Sequence, residues 1–158
     1  MKVLCDHMLG SLATWLRILG MDTVYPSSTE SDDEILRHAE AEGRLILTRA
    51  KVLAARAKKA AVPVLLISSS TLAVQLEQVT KDLSLDAAGA LTRCTVCNTP
   101  LVPVEAVEAQ PHVPPKVFAR QKQFWFCPSC KKYYWMGTHY EDMEKRIASL
   151  MKQKQGSS

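Results

Sequence analysis

The sequence predicts an α/β protein, with a mostly parallel sheet flanked by helices and a small four-cysteine ribbon behind it. Two observations carry that fold class. Short apolar runs alternate with helical patterns from Lys2 to Leu83, which is how a layered α/β arrangement reads in one dimension. Beyond them, Cys94 and Cys97 form one CxxC pair and Cys127 and Cys130 a second, with the 29 residues 98–126 between them.

The elements follow in order. Lys2 to Cys5 is a short β-capable run ending at Asp6, and Leu9, Leu12, Leu16 and Leu19 then recur at helical spacing until Gly20. Asp22 to Tyr25 reads as a second strand. Ser31 with Glu34 three positions on is a capping box, and Asp32 and Asp33 fall in the first turn, where the helix dipole favours negative charge. Capping explains these two acids as well as catalysis does. Leu45 to Leu47 is a third strand, Val52 to Lys59 a basic, alanine-rich helix, and Val62 to Ile67 a fourth strand that Pro63 keeps from full pairing. Ser70 or Thr71 caps a helix whose apolar face is Leu72, Leu76, Val79 and Leu83.

The parallel reading puts the loops after the strands, and Asp6 with them, at the carboxyl edge where open α/β sheets bind ligands. Residues 1–87 are expected to form this domain, with a linker over 84–91. The ribbon with a closing helix is expected over 88–151 and a disordered tail over 152–158. Within the ribbon, residues 101–109 read as a strand running into a short helix. Pro111 to Pro115 is too proline-rich for the interior of a regular element. Phe124 to Phe126 and Tyr133 to Trp135 flank the second cysteine pair, and Tyr140, Met143, Ile147 and Leu150 mark the closing helix. The ribbon's aromatics either cover its core or stack on bases beside Lys131 and Lys132.

Each CxxC pair supplies two thiolates on a tight turn, so together they close a tetrahedral sulfur site, and this spacing most often means one structural Zn²⁺ per chain. Two disulfides, or four thiols used as small core residues, are the alternatives. Cys5 is expected to be a buried thiol outside the site.

No apolar run is long enough to cross a bilayer, the first ten residues lack the apolar stretch of a signal peptide, and metal-bound thiols suit a reducing compartment, so the cytoplasm is the expected location. The formal charge is +4. Between Glu42 and Glu77 there is no acid, while Arg44, Arg49, Lys51, Arg56, Lys58 and Lys59 fall there: a phosphate-binding surface or a solvated helix face.

The words CDHMLGSLATWLRILGMD, SDDEIL, GRLILTR and YYWMGTHYEDM, in this order around the four cysteines, resemble the mut-7 C-terminal RNase domain family, described as a PIN-like nuclease domain fused to a zinc ribbon. The resemblance runs from Lys2 to about Leu150. It implies a PIN-like three-layer fold and metal-dependent hydrolysis of RNA by clustered carboxylates holding Mg²⁺ or Mn²⁺. Asp6, Asp32 and Asp33 match the family's acids, and Arg49 its threonine-arginine motif. A further aspartate is usual directly after that pair, but here the position is Ala50, and no acid follows until Glu77.

The expected function is therefore a metal-dependent ribonuclease weakened at position 50, with single-stranded RNA as partner and Arg49, Arg17 and Lys51 as phosphate contacts. The alternative is a catalytically degenerate RNA-binding or adaptor protein that keeps the ribbon. A zinc-stabilised protein-interaction module is the third reading, and any protein partner is left open. His7 is either a phosphate contact or a surface residue, and His139 an acid–base group, a cap or a support for a thiolate. His38 and His112 have no supporting context.

Overall fold

The computed structural model describes residues 1–85, 89–138, 140–142, 144, 145, 148 and 149. The first half contains β1 (Lys2–Cys5), α1 (Gly10–Ile18), β2 (Asp22–Val24), α2 (Asp32–Glu42), β3 (Leu45–Thr48), α3 (Lys51–Lys59), β4 (Val64–Leu66) and α4 (Leu72–Asp82). All four strands are parallel, in the order β2-β1-β3-β4.

The alternation of side chains along the strands fixes the layers. Val3, Cys5 and Leu47 point to the side where Leu12 and Leu16 of α1 and Leu76 and Val79 of α4 pack. Leu4 and Ile46 point the other way, onto Ile35 and Ala39 of α2 and Leu53 and Ala57 of α3. The result is the expected three-layer α/β arrangement. The chain leaves β1 towards β2 on one side and returns to β3 on the other, so the strand order reverses between β1 and β3. Asp6 follows β1, and Arg49 and Ala50 follow β3, at that reversal.

The second half forms an antiparallel sheet of β5 (Val102–Val104), β6 (Phe124–Cys127) and β7 (Lys132–Tyr134), with α5 (Ala106–Ala109) and α6 (Pro115–Arg120) between β5 and β6. Its small core is Ala109, Val113 and Phe124, backed by Phe118, Tyr133 and Trp135. The larger core on the α1/α4 side also takes in Leu91 at the end of the expected linker and Tyr140 from beyond it, with Trp125 and Met136 packed against it. Most ribbon aromatics thus cover hydrophobic cores, and His112 stacks on Tyr133 with ring centroids 4.8 Å apart.

Two local expectations need correction, at Thr71 and at β4. The prolines of the 111–115 segment stay out of element interiors, as expected: Pro111 lies in the first turn of a 3-10 helix over Gln110–His112, Pro114 precedes α6 and Pro115 is its first residue. Proline is barred from helix interiors but suits the first helical position, where its missing N–H is not needed. No hydroxyl of Thr71 caps α4. Ser69 Oγ instead accepts from Thr71 N–H at 3.0 Å, and Gln75 Nε2 donates to Ser69 O at 2.8 Å. β4 is also shorter than its apolar run. The capping box at Ser31 and Glu34 forms as expected. Of the closing helix, Tyr140 is helical, whereas Met143, Ile147 and Leu150 lie outside the described residues, as do Asp86 to Ala88 of the linker, His139 and the 152–158 tail.

Two glycines end helices under different constraints. Gly20, after α1, has φ +88° and a Cβ there would sit 1.9 Å from Gly89 O; Gly43, after α2, has φ +63° with nothing within 4 Å. Gly43→Ala should therefore cost only the left-handed penalty, about 1–2 kcal/mol. Gly20→Ala should cost clearly more, because the returning chain at Gly89 must also move. Urea unfolding of the two variants checks the order, and equal losses would refute the close approach.

Candidate metal centre and nucleic-acid interface

The four cysteines converge. Their sulfur atoms all lie within 4.8 Å of one another, with Cys94 Sγ 3.9 Å from Cys130 Sγ and Cys97 Sγ 3.5 Å from Cys127 Sγ. A tetrahedral ion with Zn–S bonds of about 2.3 Å needs sulfur–sulfur edges of about 3.8 Å, so the group can hold a metal such as zinc. All four are free thiols, and the distances are far beyond the roughly 2.05 Å of a disulfide.

The two CxxC turns have one design. Asn98 N–H donates to Cys94 O at 3.0 Å and Lys131 N–H to Cys127 O at 2.8 Å, and both Asn98 (φ +70°) and Lys131 (φ +58°) are left-handed. Around the sulfurs, Tyr134 OH lies 2.9 Å from Cys94 Sγ and Thr99 Oγ1 3.1 Å from Cys97 Sγ. Burial pushes the Cys97 thiol up, but hydrogen bonds from the Thr99 hydroxyl and backbone and from the neighbouring thiols outweigh it and hold the pKa down at about 6. The hydrogen bond with Cys97, with burial, in turn pushes the Cys130 thiol up to about 12, so the thiols share their protons unequally and a metal would displace those that remain. Cys5 is fully buried, and burial pushes its thiol up to about 12.

The first turn is docked on the parallel sheet. Arg17 of α1 is only 8% exposed and donates from Nε to Thr23 O (2.9 Å) and from Nη1 to Thr95 O and Val96 O (3.0 Å each). Asn98 Oδ1 accepts from Thr23 N–H at 3.0 Å, while its Nδ2 donates to Asp22 Oδ1 at 2.8 Å. Arg17 therefore does not face the carboxyl edge, and its expected role as a phosphate contact is corrected to a clamp between the two halves.

At the carboxyl edge, Asp6 is 7% exposed and tightly held. Its Oδ2 accepts from Thr48 Oγ1 at 2.8 Å and its Oδ1 from His7 N–H at 2.6 Å, and Thr48 Oγ1 in turn accepts from Ala50 N–H at 2.9 Å. His7 Nε2 lies 3.0 Å from Glu30 O, which brings the loop before α2 to the same edge. Asp32 and Asp33 both pair with Arg56 of α3, Asp32 at 3.7 Å and Asp33 more closely. They stay 45% and 70% exposed. Asp6, Asp32 and Asp33 do not form a metal-ready group; among the described residues the four cysteines are the only such cluster.

Of the acid-free basic segment, Arg44 is buried against Val3 O, Asp22 and Glu42, and Arg56 is committed to the aspartates. Arg49 is half-buried, with its Nε sealed from solvent and without a hydrogen-bond partner. Lys51 is exposed. His38 lies between Glu30 and Glu42 on the surface. The sequence marks Thr48 only as part of the threonine-arginine word and Arg56 only as one cation of the basic stretch; nothing in the pattern marks Arg56 as the partner of two acids 23 and 24 residues earlier.

The molecule is thus an α/β domain with an acid fixed at its switch point, joined to a four-thiol ribbon. The sequence model of the Mut7-C RNAse domain matches residues 1–147, and the chain belongs to that family. Membership points to a nuclease-like role and to RNA as the polymer the domain meets. No curated protein and no solved structure matches the chain. Among the described residues no helix is long and apolar enough to cross a membrane.

Asp22 ties the halves together, so its ionisation should be visible in stability. Burial pushes its carboxyl up, but hydrogen bonds from Arg44 and Asn98, with the charges of Arg44 and Arg93, outweigh this and leave the pKa lowered. A lowered folded-state pKa contributes stability above the unfolded value near pH 4 and loses it as pH falls below that. Asp22→Asn should therefore be less stable than wild type at pH 7, with the gap closing below about pH 4. Urea unfolding across pH 3–7 checks this, and a constant gap would refute it.

Proposed function

We propose that the protein is a ribonuclease that cleaves RNA phosphodiester bonds weakly, with a divalent ion, at the carboxyl edge of the parallel sheet. The observation that carries the reading is Asp6: a buried aspartate at the switch point of an RNase-family fold, oriented by Thr48 Oγ1 and His7 N–H. A carboxylate with both oxygens engaged is positioned, and positioning is what a phosphoryl site requires. Mg²⁺ is commonly held by one or two carboxylates together with water and substrate phosphate. Asp6 suits the first of these places. Asp32 or Asp33 would supply the second on leaving Arg56, and such exposed pairs are worth only about 0–1 kcal/mol. Mg²⁺ or Mn²⁺ would provide Lewis-acid stabilisation of the charge that develops on the phosphate. Arg49 directly precedes the position of the missing acid and is half-buried there, and a guanidinium can grip two phosphate oxygens at once. Lys51 would add charge for a single-stranded substrate.

Ala50 favours a second reading, RNA binding without turnover, because it leaves no carboxylate where the family usually has one. In either reading the ribbon carries one structural Zn²⁺ per chain, and the reducing cytoplasm is the fitting compartment.

Asp6→Asn should abolish cleavage of a labelled RNA while leaving RNA affinity and zinc content near wild type. Ala50→Asp should lower the Mn²⁺ concentration needed for half-maximal rate and raise the rate itself, by restoring a hard ligand. A wild type that never cuts with any divalent ion, together with an inactive Ala50→Asp, would move the assignment to the second reading. Elemental analysis should give one zinc per chain, and Cys97→Ser should lose it and expose the ribbon to proteolysis, since structural-zinc binding energy is folding energy. Zinc-free, unoxidised protein with a protease-resistant ribbon would refute the structural role.

A further inference from the structure

The ribbon carries a second charged stretch. From residue 109 to residue 140 there is no aspartate or glutamate, while Lys116, Arg120, Lys122, Lys131 and Lys132 all fall there. The fold gathers part of it into a cavity. Lys116 and Arg120 are four apart on α6 and so share one face, and with Gln121 they line a pocket of about 210 Å³ closed by Trp135, Gly137 and Thr138. Both cations are exposed, and neither pairs with a carboxylate among the described residues. Trp135 is half-buried and packs against the ribbon core, which fixes its indole. A Cβ at Gly137 would lie 3.8 Å from Trp135 Nε1, so the glycine keeps that wall of the pocket thin.

We infer that this pocket is a single-stranded RNA subsite, separate from the carboxyl edge, that takes one nucleotide: its base against Trp135 and its phosphates on Lys116 and Arg120. The chemistry selects this ligand over others. Two unpaired cations attract a phosphate backbone, and a fixed aromatic beside them offers a stacking platform that any base can use. Gln121 and Thr138 can hydrogen-bond a base edge or a ribose hydroxyl. A cavity of about 310 Å³ elsewhere on the ribbon has Glu105 as well as Lys122 in its wall, so it offers an anion no net positive charge. The inference rests on the proposed RNA role, and it assigns the ribbon part of the grip on the substrate.

The test is fluorescence anisotropy of a labelled twelve-uridine RNA on full-length zinc-loaded protein, over a range of salt. The Lys116→Gln/Arg120→Gln variant, which touches only exposed side chains, should bind about tenfold more weakly. Its log–log salt slope should be shallower by about 1.4, the loss of two contacts on a single strand. Trp135→Phe, chosen to preserve packing, should bind more weakly at unchanged slope. If the double variant keeps wild-type affinity and slope while Arg49→Ala weakens binding, the pocket inference fails and the RNA reading stands. Equal wild-type affinity for the RNA and for polyphosphate of matching length reduces the pocket to an anion patch and overturns the base contact. A wild type that binds no RNA overturns both.

Discussion

A buried guanidinium, with no carboxylate partner among the described residues, ties the two halves of this protein together. Arg17 is out of water, and burial pushes its pKa down, against the pull of Cys5, Cys94, Cys97 and Asp22. A buried cation is tolerable only where polar groups replace its hydration. Three carbonyls do so: one from β2 and two from the turn between Cys94 and Cys97. The turn must therefore hold its shape for the charge to be accommodated, and the sulfur site sets that shape. Four thiolates around a dication would also leave net negative charge beside Arg17, so each site makes the other cheaper to bury.

This coupling explains why β2, a three-residue edge strand, can serve as a docking surface. Asp22 accepts from Arg44 and Asn98 and lies 3.8 Å from Arg93, while Thr23 N–H is taken by Asn98 Oδ1. An open sheet edge presents unpaired backbone groups that invite aggregation. Here the turn between Cys94 and Asn98 covers the edge with side-chain hydrogen bonds. The opposite edge, β4, is kept short, and Gln78 takes part of its burden by donating to Leu66 O and accepting from Ser68 N–H.

What could be read in the sequence follows the physics of each signal. Apolar periodicity located the strands and helices because burial acts on neighbours along one element. The capping box and the CxxC pairs were legible because their partners lie three residues apart. The arginines were not. Arg17 binds carbonyls 78 and 79 residues away, and Arg44 reaches Val3 O and Asp22 41 and 22 residues back; a backbone carbonyl leaves no trace in the pattern of side chains. A basic residue in an amphipathic helix therefore reads as a surface charge when it is a clamp. The α6 helix is illegible for a different reason: proline reads as a breaker, whereas at the first turn of a helix it is a starter.

The acids at the carboxyl edge serve the fold before any chemistry. Asp6 accepts from His7 N–H and Thr48 Oγ1 and thereby joins the ends of β1 and β3. Asp32 and Asp33 lie in the first turn of a capped helix and pair with Arg56. Each would be retained in a protein that cuts nothing. Position 50 differs. It is the N-cap of α3, its N–H is already satisfied by Thr48 Oγ1, and its methyl packs against the core beneath α2 and α3 without capping the helix. An acid there would cap α3, a gain of about 1 kcal/mol, and would also offer a hard ligand to a divalent ion. Ala50 forgoes both, so a rate gained with an acid at this position reports on chemistry only beyond the stability gained with it.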